Sequence, residues 1–335
     1  MSANIRIAVD AMSGDLGPRV VISAALKVIA SFERLELLLV GDSAQLEQLL
    51  SGFSAPFISR LSIHHAADVV TMNEDPLVAL RHKKQSSMWL ALEMVRDGKA
   101  DACVSAGNTG ALMAISKHLL KTFPGIERPA ICKSLPVISG RTYMLDMGAN
   151  LVCSAEQLAE FALMGSILAR ATLTVDPRVS LLNVAREEEK GTAVVRAAQH
   201  LLKEDPRINY AGFLEADQLF LGQSQVIVCD GFAGNIALKA SEGASRFISK
   251  KLEQAFHAGF WRKLMAFWLR PFFYRLKEEF DPARFNGAIF LGLQKTVIKS
   301  HGGADEYAFE QALRVAIEQI DQRVAEKIGA QLAHQ

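Results

Sequence analysis

The sequence predicts an α/β protein with a mostly parallel central sheet, and three observations carry that expectation. Short apolar runs alternate with longer helical patterns from one end of the chain to the other. The runs are nearly all apolar, as strands covered on both faces are, and they show little of the alternation of a half-exposed strand. Several runs end in Gly, Asn and small residues before a helical pattern begins, the arrangement by which open α/β sheets bind ligands at strand ends.

In chain order the expected strands are IRIAVD (5–10), LELLLV (35–40), FISRLSIHH (57–65), DACVSAG (101–107), AICKSLPV (130–137), RTYMLD (141–146), RVSLLNV (178–184), INYAGFLE (208–215), SQVIVCD (224–230) and AIFLGL (288–293). Helices are expected over 18–31, 86–97, 109–121, 155–172, 189–203, 233–256 and 305–330. Pro18 suits the first position of the first helix. RTYMLD follows SLPVISG so closely that the pair reads as a hairpin. No linker rich in Pro, Gly or Ser interrupts the alternation, so residues 1–335 read as one domain.

Composition narrows the function classes. The 335 residues are 50% hydrophobic and 22% charged, which excludes disorder. Lys and Arg number 37 against 36 Asp and Glu, a balance that argues against a nucleic-acid partner. The beginning of the chain lacks the pattern of a signal peptide, and no run reaches the roughly 18 apolar residues of a membrane span, so a soluble, cytoplasmic protein is expected. Cys103, Cys132, Cys153 and Cys229 sit in or beside apolar runs without metal-ligand spacing and read as buried thiols. No two glycines are spaced i, i+2, which removes the dinucleotide fingerprint, and P-loop, G-x-S-x-G and H-E-x-x-H motifs are all absent.

What remains is a set of Gly-Asn turns. VSAGNTGA (104–111), LDMGAN (145–150) and VCDGFAGN (228–235) each pass from an apolar run into a helix. Free N–H groups and the positive end of a helix dipole make such turns anion sites, and three together point to a phosphate-type ligand. Gly107, Asn108, Thr109 and Gly110 are the expected phosphate cradle, with Asp10, Asp146, Asp230 and Gly231 as further binding residues. Asp10, Asp15, Asp146 and Asp230 could hold Mg²⁺, but aspartates at strand ends equally orient loop amides, and no metal is expected. In REEEKG (186–191) the acidic residues suit a first helical turn, whereas Lys190 is electrostatically misplaced there, which an anionic substrate would explain. In VIKSHGGAD (297–305) a helix C-cap with a basic last turn accounts for Lys299 and Gly302. It accounts less well for His301, which is placed to act as acid, base or phosphate ligand.

Residues 259–277, GFWRKLMAFWLRPFFYRLK, hold seven aromatics and five cations with no acid. Such a basic, aromatic amphipathic segment suits a membrane interface, an acidic partner or a dimer contact. Its carrier or membrane contacts would be Trp261, Arg262, Lys263, Trp268, Arg270, Arg275 and Lys277, within an insertion spanning 256–280.

Taken in order, VDAMSGD, VSAGNTGA, RPAI, LDMGAN, EEEKG, VCDGFAGNIALKASEG and LGLQKTVIKSHGGAD closely resemble the phosphate acyltransferase family of bacterial phospholipid synthesis, known as PlsX. The resemblance runs from about residue 5 to 325, with departures at Ser13, Ala185, Phe213 and Ala216, where the family usually carries Gly, Gly, Asn and Gly. It implies a three-layer α/β/α sandwich like those of phosphotransacetylases and isopropylmalate-type dehydrogenases, with the amphipathic segment protruding. It implies transfer of a fatty acyl group from acyl carrier protein to inorganic phosphate, giving acyl-phosphate. It also implies a cytoplasmic homodimer associated with the membrane surface, near the membrane glycerol-3-phosphate acyltransferase that would use its product. No cofactor is demanded. For that chemistry Asn150 and Asn235 are the candidate oxyanion donors, and Lys190, Lys239 and His301 the candidates to assist the leaving thiolate. Transfer from an acyl-coenzyme A, or a non-catalytic membrane scaffold, are the alternative readings.

Overall fold

The computed structural model describes residues 4–53, 56–138, 140–173, 175–257 and 281–333. The Ile- and Val-rich run after Asn4 forms β1 (Ile5–Asp10), and Pro18 opens α1 (Pro18–Ser31). β2 (Leu35–Gly41), α2 (Ser43–Leu50) and β3 (Leu61–His65) follow, then α3 (Pro76–His82) and α4 (Ser87–Arg96). β4 (Ala102–Ser105) leads into α5 (Thr109–Leu120). The expected hairpin is β5 (Ala130–Pro136) and β6 (Arg141–Leu145), paired antiparallel. Next come α6 (Ala155–Leu173), β7 (Arg178–Leu182), α7 (Ala193–Glu204), β8 (Asn209–Leu214), β9 (Val226–Val228) and α8 (Gly231–His257). The chain closes with β10 (Ala288–Leu291), β11 (Thr296–Lys299), α9 (Glu306–Asp321) and α10 (Val324–Leu332).

Among the described residues, the eleven strands join one sheet in the order β3-β2-β1-β4-β11-β10-β5-β6-β9-β7-β8. Its faces are covered by two apolar clusters. One carries α1, α2, α6, α7, α9 and α10; the other carries α3, α4, α5 and α8. The sheet is mostly parallel, but the β11–β10, β10–β5 and β5–β6 pairings are antiparallel. Three reversals turn the second block over. If β1 points up, so do β2, β3, β4 and β11, whereas β6, β7, β8 and β9 point down.

That inversion positions the site. The turn after β4 is at the upper end of the strands, and the turns after β6 and β9 are at the lower end. The three Gly-Asn turns therefore do not meet at a single carboxyl edge. They are joined by two helices on one face that run in opposite senses. α5 descends from the upper end, and Thr122 just beyond it bridges Leu293. α8 ascends from the lower end, and Ala233, Ala237 and Leu238 hold it to the same apolar cluster as Leu112 and Ile115 of α5. A groove of about 710 Å³ lies between α5 and the wall formed by Arg128, Pro129 and 148–150.

Some sequence expectations need correction. No helix opens at 189: Lys190 lies in a turn, its N–H bonded to the Glu187 carbonyl, and Gly191 at φ 93° precedes Thr192, whose hydroxyl caps α7. Lys190 is thus not misplaced on a helix dipole. VIK (297–299) is strand and not the last turn of a helix. The helix expected over 305–330 is two, because Arg323 takes φ 50° between them. Most of 256–280, including Trp261, Arg262, Lys263, Trp268, Arg270, Arg275 and Lys277, lies outside the described residues.

Candidate active site

Three neighbouring strands end in one polar row. Strand register sets Asp10 beside Ser105 and Ser105 beside Lys299, and residues two positions earlier on each strand face the same cluster as α5 and α8. Ser105 Oγ donates to Asp10 Oδ2 at 2.7 Å and accepts the Gly107 N–H at 3.1 Å. Ser13 Oγ accepts the Ala106 N–H at 2.9 Å and donates to the Asp10 carbonyl at 2.9 Å. The departure of this chain at Ser13 thus gives the loop a tie that a glycine could not make. Burial raises the Asp10 pKa, against the hydrogen bonds of Ser105, Ser87 and Ser13.

Lys299 is the member of this row that sequence reasoning assigned to a structural end-cap. It is only 8% exposed, and its ammonium donates to the carbonyls of Ala106 and Ser300. Burial lowers its pKa to about 8, against the pull of Asp10 and Asp15. It ties the turn before Gly107 to the turn that carries His301.

The His301 turn is built with equal care. Buried Asn286 accepts the His301 N–H at 2.9 Å and donates to Ser300 Oγ and the Ala308 carbonyl at 2.8 and 2.7 Å. The Gly303 N–H donates to His301 Nδ1 at 3.0 Å. A ring nitrogen that accepts carries no hydrogen, so the neutral ring holds its proton on Nε2. Partial burial lowers the His301 pKa; Glu242 opposes this, while Lys299, Lys133 and Lys239 reinforce it. At neutral pH His301 is thus a neutral Nε2–H donor, surrounded by lysines from β11, β5 and α8. Lys133 pairs with Glu242 at 3.1 Å, which fixes the middle of α8 over β5. Lys133 was legible in principle: it is the cation in the otherwise apolar run AICKSLPV.

The cradle turn differs in detail from expectation. Asn108 does not offer its side chain to a ligand. Its Oδ1 caps α5 by accepting the Ala111 N–H at 3.0 Å, and both hydrogens of its amide go to the Met72 and Glu74 carbonyls at 2.8 and 2.9 Å. What the turn presents is the exposed start of α5 at Thr109 and Gly110, where free N–H groups remain.

At the lower end the expected binding residues prove to be the frame. Asp146 is fully buried, and its carboxylate accepts from the N–H groups of Ile131, Gly148, Ala149 and Asn150 and from the Asn150 amide. Asn150 is 3% exposed, and its two amide hydrogens go to Pro129 and Asp146, so it has none for an oxyanion. Asp230 accepts the Ala233 N–H at 2.8 Å and so caps α8. Gly231 donates to the Asn150 carbonyl at 2.8 Å, and a Cβ there would lie 2.7 Å from that oxygen. Asn235 lies against Gly148, and Lys239 is exposed one turn further along α8. Lys190 is exposed at the lower end, without an ion pair among the described residues. No group of three or more His, Cys, Asp or Glu side chains among the described residues is arranged to hold a metal ion. All four cysteines are buried and unpaired.

A mostly parallel sheet covered by helices on both faces defines an α/β protein. Solved structures agree with that fold. A phosphotransacetylase from Streptococcus pyogenes superposes with TM-score 0.61 at 19% identity, covering 95% of this chain and 94% of its own. A branched-chain phosphotransacylase from Enterococcus faecalis V583 gives 0.60 at 12% identity, covering 94% and 99%. In sequence the chain is 57% identical over 335 residues to a phosphate acyltransferase of Cellvibrio japonicus, covering 99% of each. It is 48% identical to one of Pseudomonas aeruginosa, covering 100% and 99%. The model of the family described as "Fatty acid synthesis protein" matches residues 5–327. The chain belongs to the phosphate acyltransferase family.

Proposed function

We propose that the protein moves a fatty acyl group from the thioester of acyl carrier protein to inorganic phosphate, releasing the carrier thiol and an acyl-phosphate. The observation that carries this reading is the electrostatic coupling of His301 to Lys133, Lys239 and Lys299, with Lys299 tied to the Ala106 carbonyl in the turn that leads into α5. Phosphate is anionic at neutral pH and needs position more than deprotonation. The free N–H groups of Thr109 and Gly110 and the nearby cations receive it. One phosphate oxygen attacks the thioester carbon, the carbonyl becomes an oxyanion, and His301 Nε2–H donates to it. The C–S bond then breaks, its electron pair leaves with sulfur, and Lys239 offers the thiolate a proton or a counter-charge. Asn235 holds the start of α8 against the turn at Gly148. Lys190, exposed at the lower end, attracts the anionic donor.

The buried state of all four cysteines, which burial also holds in the thiol form, supports direct transfer without an acyl-enzyme. The continuous sheet supports reading residues 1–335 as one domain. Homodimerisation, cytoplasmic location and peripheral membrane attachment through 256–280 belong to the same reading, supported by the composition of that segment. The test is thiol release from acyl carrier protein, acyl-coenzyme A and acyl-pantetheine, each with and without phosphate. Phosphate-dependent release with the carrier foremost is expected. Preference for a short acyl-coenzyme A would instead make the protein a phosphotransacetylase.

A further inference from the structure

The groove beside α5 extends well past the reacting centre, and its far end is basic. Thr109 and Gly110 line its upper end, Met113 and Ala114 its middle, and Lys117, His118 and Lys121 its lower end. Arg128 and Ala149 line the same groove. No carboxylate lines the groove, and Lys117, Lys121 and Arg128 are exposed with no ion pair among the described residues. Lys121 stands twelve positions beyond Thr109, which at the helical rise spans about 18 Å.

Lys121 adds a second sign. It follows the last residue of α5 at φ 60°, a backbone region that costs a side-chain-bearing residue on the order of 1 kcal/mol and that glycine occupies freely. A lysine held there at a backbone cost needs a use for its side chain.

We infer that this groove is the channel for a phosphopantetheine arm, and that Lys117, Lys121 and Arg128 form the docking rim for the arm's phosphate and for the acidic carrier protein behind it. The inference rests on the proposal that the donor is a carrier-bound thioester. The chemistry matches along the length. The thiol end reaches Thr109 and Gly110, where phosphate attacks. The chain of methylenes and amides follows a wall that mixes Met113 and Ala114 with the backbone of 148–150. The phosphodiester meets the three cations about 18 Å away by helical rise, and beyond it the carrier's acidic surface faces the same charges. Paired cations would gain little from such a partner; unpaired ones contribute attraction that salt screens.

The test is steady-state transfer to phosphate by wild type and by the triple variant Lys117→Glu, Lys121→Glu, Arg128→Glu, with acyl carrier protein, acyl-coenzyme A and acyl-pantetheine as donors. The triple variant should raise KM for the carrier donor on the order of tenfold or more with kcat retained, and the loss should shrink as protein and then phosphate are removed from the donor. Raising salt should weaken carrier use by wild type and not by the variant. Lys121→Gly is the second probe. It relieves the backbone, so its melting temperature should hold or rise while its carrier KM rises. Unchanged carrier KM in the triple variant, equal loss with all three donors, or a normal carrier KM in Lys121→Gly would each overturn the docking rim. Absence of carrier turnover by wild type would instead refute the carrier reading beneath it.

Discussion

At the scale of single residues, the proposed site rests on two groups whose protonation burial shifts. His301 has a pKa below its ordinary 6.5, because a partly buried imidazolium beside three lysines is disfavoured. The neutral donor is therefore complete above that value and is lost only as acid protonates the ring. His301→Ala should lower kcat about 10²-fold, the scale of losing one oxyanion donor, whereas His301→Gln, which keeps an N–H donor, should lose less; a pH–rate profile of both variants checks this. Lys299 has the opposite window. Its folded pKa of about 8 lies below the 10.5 of the free side chain, so it is charged below pH 8 and discharges as pH rises through it. Transfer to phosphate should fall across that range in wild type and stay level in Lys299→Arg, which remains charged. Between about 8 and 10.5 the unfolded chain binds the extra proton, so stability should gain with pH there, and urea unfolding of Lys299→Met should lack that gain. His301 was legible in the sequence because an end-cap left it unexplained. Lys299 was not, because a lysine before a Gly-Gly turn reads equally as a helix end, and only the pairing of β11 with β4 places it beside Ser105.

Among the elements, most of those with a large apolar face were legible, although the short buried strand β11 was not. β1, β4, β5 and β6 are buried runs, and α1, α4, α5 and α6 bury long stripes. α2 buries only Leu46 and α3 only Ala79, so neither left a periodic signal in the sequence. The turns were read as sites from their Gly and Asn, and the side chains of Asn108, Asn150 and Asp230 build the turns themselves. Asn108→Ala should accordingly cost about 1 kcal/mol for the lost cap and more for the freed Met72 and Glu74 carbonyls. It should also raise the phosphate KM as the start of α5 loosens; thermal melts read beside kinetics separate the two effects. α8 makes a sharper case. A Cβ at Gly234 would run into the Asp146 carbonyl and come within 2.9 Å of Cys229 Sγ, so α8 can lie this close to the β6 turn only with glycine there. Gly234→Ala should destabilise by about 1–3 kcal/mol through overpacking and reduce transfer further by displacing Lys239. Retention of full activity with a raised melting temperature would contradict this placement of α8.

Across the whole molecule, the inverted second block puts the turns at opposite strand ends, and α5 and α8 cross the same face in opposite senses, so that one groove reaches from Thr109 to the turn at 148–150. The sequence pattern showed a layered α/β chain but not this inversion, because strand direction is set by pairings far apart in the chain, such as β10 with β5. Among the described residues no helix is long and apolar enough to cross a membrane. Attachment through 259–277 therefore predicts flotation with anionic vesicles at low ionic strength and not with neutral ones, weakened by replacing Trp261 and Trp268 with Ser while transfer from soluble carrier persists. The central claim is that this cleft transfers an acyl group directly onto phosphate. It is tested most directly by mixing enzyme in excess with acyl carrier thioester, first without phosphate and then with isotopically labelled phosphate. We predict no thiol release before phosphate is added, then one thiol and one labelled acyl-phosphate for each thioester consumed. A stoichiometric burst of thiol without phosphate, with the acyl group recovered on the protein, would contradict it.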